Sequence, residues 1–321
     1  MTPASFLLPV PDLAAWRSGN TGVEGVWSFD SGHPGRHALV TALVHGNELC
    51  GAWAIKALLE AGVRPSHGRL TLALCNLDAF DRFDPADHDA SRFVDEDMNR
   101  QWSPERLAEP HSLERRRAAA LAPFVEAADW LLDLHSMHEP SDPLTLTGLA
   151  QANVDLALRM KSPTAIVIDA GHSEGVRMRD YGRFAPSRVP GTDARSLLVE
   201  CGFHGDPRSR TLALDQCVRF LEHAGVIEPA RADLAAWRLP DAATQRVLQV
   251  TAAVVAQSDH FCFVEPYTGL EVIAARGTVI GHDIEPVVTP YDDCVLVMPS
   301  TRQARAGVTV VRFARALVQR A

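Results

Sequence analysis

Two histidines and one glutamate in this sequence have the types and the positions that could bind a metal ion. His45 and Glu48 follow the apolar run HALVTALV at 37–44, and His135 closes a second apolar run, WLLDLH at 130–135. Two imidazoles and one carboxylate form a ligand set of catalytic zinc, which keeps a further position open for water. The pattern differs from HExxH, in which one helix carries both histidines. The alternative interpretation is that His45 and Glu48 have this spacing by chance. The second histidine at a strand end, His135, favours the metal site.

Other polar residues that could assist such a metal stand in one loop and at further strand ends. The loop SRFVDEDMNR at 91–100 follows an apolar run, and a glutamate closes the run LLVE. A carboxylate beside a metal can act as general base and acid, and an arginine can face a developing negative charge. A charged surface loop and a salt-bridged glutamate are the simpler interpretations. The candidate side chains are Arg92, Asp97, Asn99, Arg100 and Glu200, and Asn76 stands at another strand end.

The elements that must position these residues alternate between short apolar runs and helix-like segments over residues 1–235. Such alternation favours an α/β layer architecture with a largely parallel or mixed sheet. Asn47 is placed to cap the helix that follows His45. The predicted strands are 37–44, 69–76, 130–135, 164–170 and 196–200, and the predicted helices are 47–61, 104–128, 151–161 and 207–224.

The pattern changes near Pro240 to short β-like runs separated by Gly, Pro and Asp, such as LEVIAARGTVIG and EPVVTP. Turn residues every few positions are typical of all-β structure. The sequence therefore predicts two domains, an α/β domain over 1–238 and a smaller β domain over 239–321.

Composition limits the class of protein. The 321 residues are 46% hydrophobic and carry a net charge of −9, which argues against a nucleic-acid partner because such partners usually meet basic patches. No secretory leader and no apolar stretch of membrane-spanning length is evident, so no membrane partner is expected. The six scattered cysteines are typical of reduced, buried thiols, and the predicted localisation is cytoplasmic.

In combination, these motifs resemble the succinylglutamate desuccinylase/aspartoacylase family of zinc carboxypeptidase-like proteins. The resemblance rests on HGNE at 45–48, RFVDEDMNR at 92–100, DLH at 133–135 and VECG at 199–202. It extends over nearly the whole chain, because the order, the spacing and the appended β segment all agree. The resemblance implies a zinc-carboxypeptidase-like α/β/α domain with a mixed sheet and a smaller C-terminal all-β domain.

The resemblance also implies a role for each motif residue. His45, Glu48 and His135 match the ligands of one zinc ion per chain. Arg92 matches the arginine that polarises the scissile carbonyl, and Glu200 matches the catalytic glutamate. The other matching positions are Asn99 and Arg100, for a substrate carboxylate, and Asp97, for the acid that orients a ligand histidine.

The sequence departs from the family at one substrate contact. Aspartoacylase-like members hold a side-chain carboxylate with an arginine about ten residues before the catalytic glutamate, where this chain has Pro190. Arg183, Arg188 and Arg195 are near in sequence but do not align. An aspartate- or glutamate-type substrate is therefore in doubt, and a neutral or basic amino-acid moiety is at least as well supported.

Two nearby residues are alternatives to these assignments. His138 forms a His-x-x-His pair with His135, but it lies beyond the strand end and is expected not to bind the metal. Cys201 follows Glu200 and is expected to be an inert thiol because its strand is apolar.

The expected activity is therefore that of a zinc-dependent amidohydrolase that removes an N-acyl group from a small N-acyl amino acid or related amine. A zinc carboxypeptidase acting on small peptides is the alternative; plain carboxypeptidases lack the β domain. A non-catalytic binding module and a metal-free serine or cysteine hydrolase are weaker alternatives, and a homo-oligomer stays open. We expect the β domain to narrow the entry to the zinc site, with Tyr267 and Tyr291 as the first candidates for pocket-facing donors.

Overall fold

The computed structural model describes residues 5–171, 174–185, 193–229, 233–302 and 304–317. The strands of this part are β1 (Val26–Asp30), β2 (His37–Ala42), β3 (Arg69–Leu74), β4 (Trp130–Met137), β5 (Leu144–Leu146), β6 (Ala165–Ile168), β7 (Arg195–Phe203), β8 (Arg246–Val255), β9 (Cys262–Phe263), β10 (Val272–Ile273), β11 (Val279–His282), β12 (Pro286–Val288), β13 (Cys294–Val297) and β14 (Thr309–Leu317). The α-helices are α1 (Leu49–Glu60), α2 (Leu77–Phe80), α3 (Pro104–Ala108), α4 (Leu113–Ala127), α5 (Gln151–Met160) and α6 (Pro207–Ala224).

One large mixed sheet organises the described residues. Its strand order is β1-β3-β2-β4-β7-β5-β6-β8-β14-β13-β10, and a small separate sheet has the order β12-β11-β9. Strands β3, β2, β4 and β7 are parallel neighbours, whereas β1 runs antiparallel to β3, and β5 runs antiparallel to β7 and parallel to β6. The predicted α/β architecture with a mixed sheet is confirmed.

Both faces of the central strands are covered, which explains why these strands are apolar at nearly every position. On one face Val40 of β2 packs in the same core cluster as residues of α1, α5 and α6. On the other face Leu39 of β2 belongs to a second cluster with Leu121 and Val125 of α4. Neighbouring strand residues point to opposite faces, so a continuous apolar run fits a strand between two helix layers.

The predicted elements are found with two local corrections. The single helix expected over 104–128 is two helices, α3 and α4, and Pro110 lies between them, where a continuous helix would lose a hydrogen bond. The prediction that Asn47 caps α1 is wrong. The helix begins at Leu49, and neither polar atom of the buried Asn47 side chain has a hydrogen-bond partner.

The C-terminal segment consists of strands from β8 onward, but it continues the main sheet. Strand β8 pairs in parallel with β6 of the α/β part, and β14, β13 and β10 extend the sheet from there. The boundary at 239 and the division into two domains stay predictions.

Two further expectations from the sequence concern membrane-spanning segments and the state of the cysteines. Among the helices of the described part, none combines the length and the apolar character that crossing a bilayer requires. The six cysteines are free thiols; five of them are buried, and Cys262 is exposed.

Candidate functional site

The carboxyl ends of adjacent parallel strands position the candidate site. His45 and Glu48 lie in the turn between β2 and α1, and His135 and Glu200 are direct register partners on β4 and β7. In parallel sheets these ends meet at one edge, which is where open α/β folds place their ligands. The turn after β2 is sharp: Leu43 has a φ of 57°, which is uncommon for a residue with a side chain.

Gly46 in this turn has a steric reason to be glycine. A Cβ atom there would lie 2.4 Å from the carbonyl carbon of Ala79 and 2.5 Å from the carbonyl oxygen of Ser91. The backbone N–H of Gly46 donates to the carbonyl oxygen of Arg92 at 3.0 Å. The close approach therefore holds the turn of His45 against the loop that begins at Arg92.

His45, Glu48 and His135 form a buried cluster whose donor atoms all lie within 4.8 Å of one another. Nδ1 of His45 is 2.7 Å from one carboxylate oxygen of Glu48, and Nδ1 of His135 is 2.8 Å from the other. The backbone N–H of Ser136 donates to the same carboxylate at 3.2 Å.

An aspartate lies behind each histidine. Nε2 of His45 is 3.0 Å from Asp97, and Nε2 of His135 is 2.9 Å from Asp133. In the neutral form of both rings, donation from each Nε2–H to its aspartate leaves the Nδ1 lone pair directed at Glu48, so three acceptor groups converge. Such a set fits a divalent cation, and outer carboxylates of this kind fix the tautomer and the ring angle of a ligand histidine. The residues present are thus suited to zinc.

Asp133 was not singled out from the sequence, although it stands in the DLH motif. Side chains two residues apart on a strand share a face, and this spacing could have indicated the contact with His135. The hydroxyl of Thr41 on the neighbouring strand donates to Asp133 at 2.7 Å and fixes its second oxygen.

The two glutamates are both buried, but their pKa values are shifted in opposite directions. Burial alone would raise the pKa of Glu48, but the two histidines outweigh it and hold that pKa well below its usual range. Burial raises the pKa of Glu200 to about 8, against the attraction of His135. One carboxylate oxygen of Glu200 is buried without a hydrogen-bond partner. A carboxyl group with a raised pKa suits proton transfer near neutral pH.

The loop at 91–100 brings two arginines and an amide beside the cluster. Nη1 of Arg92 lies 3.4 Å from Glu48, and Nη2 lies 3.2 Å from Asp97. The Asn99 side-chain oxygen accepts from the backbone N–H of Met178 at 3.0 Å, which leaves its NH₂ group as the donor for a ligand. Burial lowers the pKa of Arg100, whose Nε lies 3.9 Å from Glu174.

Glu114 holds this loop in place and was not identified from the sequence. Its fully buried carboxylate accepts hydrogen bonds from the backbone N–H groups of Val94, Asp95 and Glu96 at 2.6, 3.0 and 3.2 Å. It also accepts from the side-chain amide of Asn76 at 3.1 Å. Asn76, at the end of its strand, therefore supports the loop through its hydrogen bond to Glu114, and its side-chain oxygen caps α2.

A cavity of about 150 Å³ brings most of the predicted site residues together. Asp97 lies outside its lining, behind His45. The predicted residues that line the cavity are His45, Glu48, Arg92, Asn99, Arg100, His135 and Glu200.

The C-terminal segment also lines this cavity, through Met298, Pro299, Ser300 and Arg312. The two tyrosines expected there do not. The Tyr291 hydroxyl lies 2.6 Å from the hydroxyl of Thr251, and Tyr267 lines a neighbouring pocket.

Two arginines in the lining were not identified from the sequence. Arg177 is buried and donates to Asp169 at 3.0 Å and to Asp180 at 2.6 Å. Nε of Arg312 lies 3.6 Å from the same Asp169, and burial lowers the pKa of Arg312.

Two of the arginines that lie near Pro190 in the sequence are found outside the cavity lining. Arg183 pairs with Asp129 at 2.7 Å in a half-exposed ion pair, and Arg195 lies outside the cavity lining. Arg188 and Pro190 lie outside the described residues.

We predict that Glu114→Gln lowers the free energy of unfolding by about 1–3 kcal/mol, because its NH₂ group would face backbone donors and leave at least one of them unpaired. Chemical denaturation monitored by circular dichroism measures the change. Glu109→Gln, an exposed change of the same kind just before α4, should leave stability near that of wild type. Equal stability of both variants and wild type would contradict the role of Glu114.

Comparison with known proteins shows what the chain is similar to. Residues 34–179 match the family model described as the succinylglutamate desuccinylase/aspartoacylase catalytic domain. The succinylglutamate desuccinylase of Paraburkholderia xenovorans (strain LB400) is 35% identical over 114 residues, which cover 32% of this chain and 31% of that protein. The match thus spans less than a third of the length of that relative.

Solved structures resemble the chain over most of its length. A succinylglutamate desuccinylase/aspartoacylase from Rhodobacter sphaeroides superimposes with a TM-score of 0.65 and 19% identity, over 92% of this chain and 90% of that one. A succinylglutamate desuccinylase from Vibrio cholerae superimposes with a TM-score of 0.67 and 18% identity, over 91% of this chain and 86% of that one. At these identities the likeness shows a shared fold.

Proposed function

Because this chain carries the catalytic domain of the succinylglutamate desuccinylase/aspartoacylase family, we propose that it is a zinc-dependent amidohydrolase of small N-acyl amino acids or related amines. The observation that carries the proposal is the buried His45–Glu48–His135 cluster at the edge of a cavity whose lining also includes Glu200, Arg92 and Arg100. Family membership supports deacylation, and the donor set supports the metal.

His45, Glu48 and His135 would hold the zinc, through the histidine nitrogens that face Glu48. A bound zinc ion lowers the pKa of a water molecule and can polarise a carbonyl group. Asp97 and Asp133 keep the two rings in the tautomer that leaves Nδ1 free for the metal.

Glu200 is placed to move the protons of amide hydrolysis. It lines the cavity directly opposite His135 in the strand register, and one of its oxygens has no other partner. It accepts a proton from the attacking water and delivers it to the leaving nitrogen. Burial raises the pKa of this carboxyl group, which favours the delivery of the proton in the second step.

Arg92 would stabilise the negative charge that develops on the carbonyl oxygen. Its guanidinium group lies in the cavity wall beside Glu48. A preorganised donor at such a position commonly contributes about 3 kcal/mol to transition-state stabilisation.

Asn99 and Arg100 would bind the carboxylate of the amino-acid part. Both line the cavity, the Asn99 NH₂ group is available, and the Arg100 guanidinium has the planar fork that suits a carboxylate. The cavity is small, and residues 298–300 form part of its wall, which supports a small substrate over a long peptide.

Zinc-loaded protein should hydrolyse members of a panel of N-acetyl, N-formyl and N-succinyl amino acids, with free amine as the readout. Peptides of four residues with the same C-terminal amino acid should have a much lower kcat/KM, because the wall formed by the C-terminal segment restricts entry. Comparable kcat/KM values for both substrate types would favour the carboxypeptidase alternative.

We predict that His45→Ala and His135→Ala each lose the bound metal, because two of the three ligands cannot hold the ion in competition with buffer. Elemental analysis of purified variants measures this. His138→Ala should retain one zinc ion per chain. Full occupancy in both ligand variants would refute the assignment.

We predict that Glu200→Gln folds, keeps its zinc and loses turnover by about 10²–10⁴-fold, the usual contribution of a positioned acid–base group. Steady-state kinetics together with zinc analysis separates this effect from metal loss. Turnover close to that of wild type would exclude the proton-transfer role.

We predict that Arg100→Lys raises KM for an N-acyl amino acid and has little effect on the corresponding amide, which lacks the carboxylate. A lysine cannot reproduce the two-pronged contact of arginine. The amide is the matched control, and equal effects on the two substrates would refute carboxylate binding.

A further inference from the structure

We propose that Arg302, Asp89 and His138 form a positioning network that orients Arg92, so that the C-terminal segment helps to set the geometry of the catalytic site. The inference deepens the proposed function and rests on it, since Arg92 is there the group that faces the carbonyl oxygen. It also assigns a place to His138, which the sequence offered only as an alternative metal ligand.

The hydrogen bonds of His138 have a fixed direction. Nη1 of Arg92 lies 3.3 Å from Nε2 of His138, and a guanidinium group can only donate, so Nε2 is the acceptor. The ring proton is then on Nδ1, which donates to Asp89 at 3.0 Å. His138 is therefore engaged at both nitrogens as a neutral imidazole, and neither nitrogen is left for the metal.

Arg302 completes the network from the C-terminal segment. Its Nη1 donates to the second oxygen of Asp89 at 3.0 Å, and its Nε lies 3.3 Å from Glu139. Arg302 lies in the loop between β13 and β14, directly after the cavity-lining residues 298–300. Asp89 thus uses one oxygen for His138 and the other for Arg302, and its orientation depends on both.

The network matters because Nη1 of Arg92 has two competing partners. It lies 3.4 Å from Glu48 and 3.3 Å from His138. Without His138, the remaining attraction of Nη1 is toward Glu48, and Nη2 is already drawn toward Asp97. The guanidinium would then move toward the metal ligands and away from the carbonyl oxygen. Loss of the network should therefore lower kcat with little change in KM or in zinc content.

His138→Leu removes both hydrogen bonds, whereas His138→Gln keeps one donor and one acceptor. On an N-acyl amino acid we expect His138→Leu to lower kcat by about ten- to a hundredfold, the scale of a misplaced catalytic group, with zinc retained. His138→Gln should recover most of the activity. Arg302→Met should lower kcat less than His138→Leu does. The control is Arg305→Met, which removes the same charge from an exposed position in the same loop and should have the kcat of wild type.

The double variant His138→Leu/Arg302→Met is the decisive combination. Because both changes break one network, its kcat should equal that of His138→Leu alone, as expected for coupled residues. Independent, multiplicative losses would overturn the proposal, and so would loss of zinc in His138→Leu or equal activity of the Leu and Gln variants.

Crystal structures of wild type, His138→Leu and Arg302→Met test the network without any substrate. We expect the Arg92 guanidinium to be displaced in the Leu variant and to be less ordered in the Met variant. An unmoved guanidinium in both would overturn the proposal. Absence of hydrolysis of every N-acyl amino acid by wild type would overturn the proposed function alone, because the displacement of Arg92 does not depend on turnover.

Discussion

The buried carboxylate of Glu48 between Nδ1 of His45 and Nδ1 of His135 is the contact on which the rest of the site depends. Three acceptor groups at such distances repel one another unless a cation lies among them, and burial strengthens the effect. Asp97 and Asp133 maintain the arrangement from outside by accepting from the opposite ring nitrogens. The arginine and the glutamate that we propose to be catalytic are placed relative to this cluster: Arg92 contacts Glu48, and Glu200 is the register partner of His135.

The fold brings this cluster together because parallel strands end at the same edge of the sheet. β2 and β4 are adjacent, and β7 follows, so residues far apart in sequence meet at one sheet edge. The loop that carries Arg92 and Asn99 contains only one short 3₁₀ turn, Met98–Arg100, and the Glu114 carboxylate holds the loop by accepting from three successive backbone N–H groups. The C-terminal strands extend the same sheet and bring Arg312 and residues 298–300 to the cavity.

The strand ends could be predicted from the sequence because each is an apolar run closed by a polar residue, as in the runs before His45, His135 and Glu200. These runs predicted the central strands and four residues of the cavity lining, His45, Glu48, His135 and Glu200, and the loop at 91–100 supplied Arg92, Asn99 and Arg100. Contacts that depend on packing between distant segments could not be predicted from the sequence. Glu114 lies in an arginine-rich helix and looks solvent-exposed in sequence, and Arg312 lies in a β segment whose alignment with the cavity follows from the pairing of β8 with β6. Asn47 looks like a helix cap, but the helix begins one residue later than that role requires.

The most direct test of the central claim is anomalous diffraction at the zinc absorption edge from crystals of zinc-loaded protein. We expect one strong peak per chain, within bonding distance of Nδ1 of His45, Nδ1 of His135 and the carboxylate of Glu48, with Asp97 and Asp133 still bound to the opposite nitrogens. A peak at His138, or no peak between the two histidines at full zinc loading, would contradict this metal site.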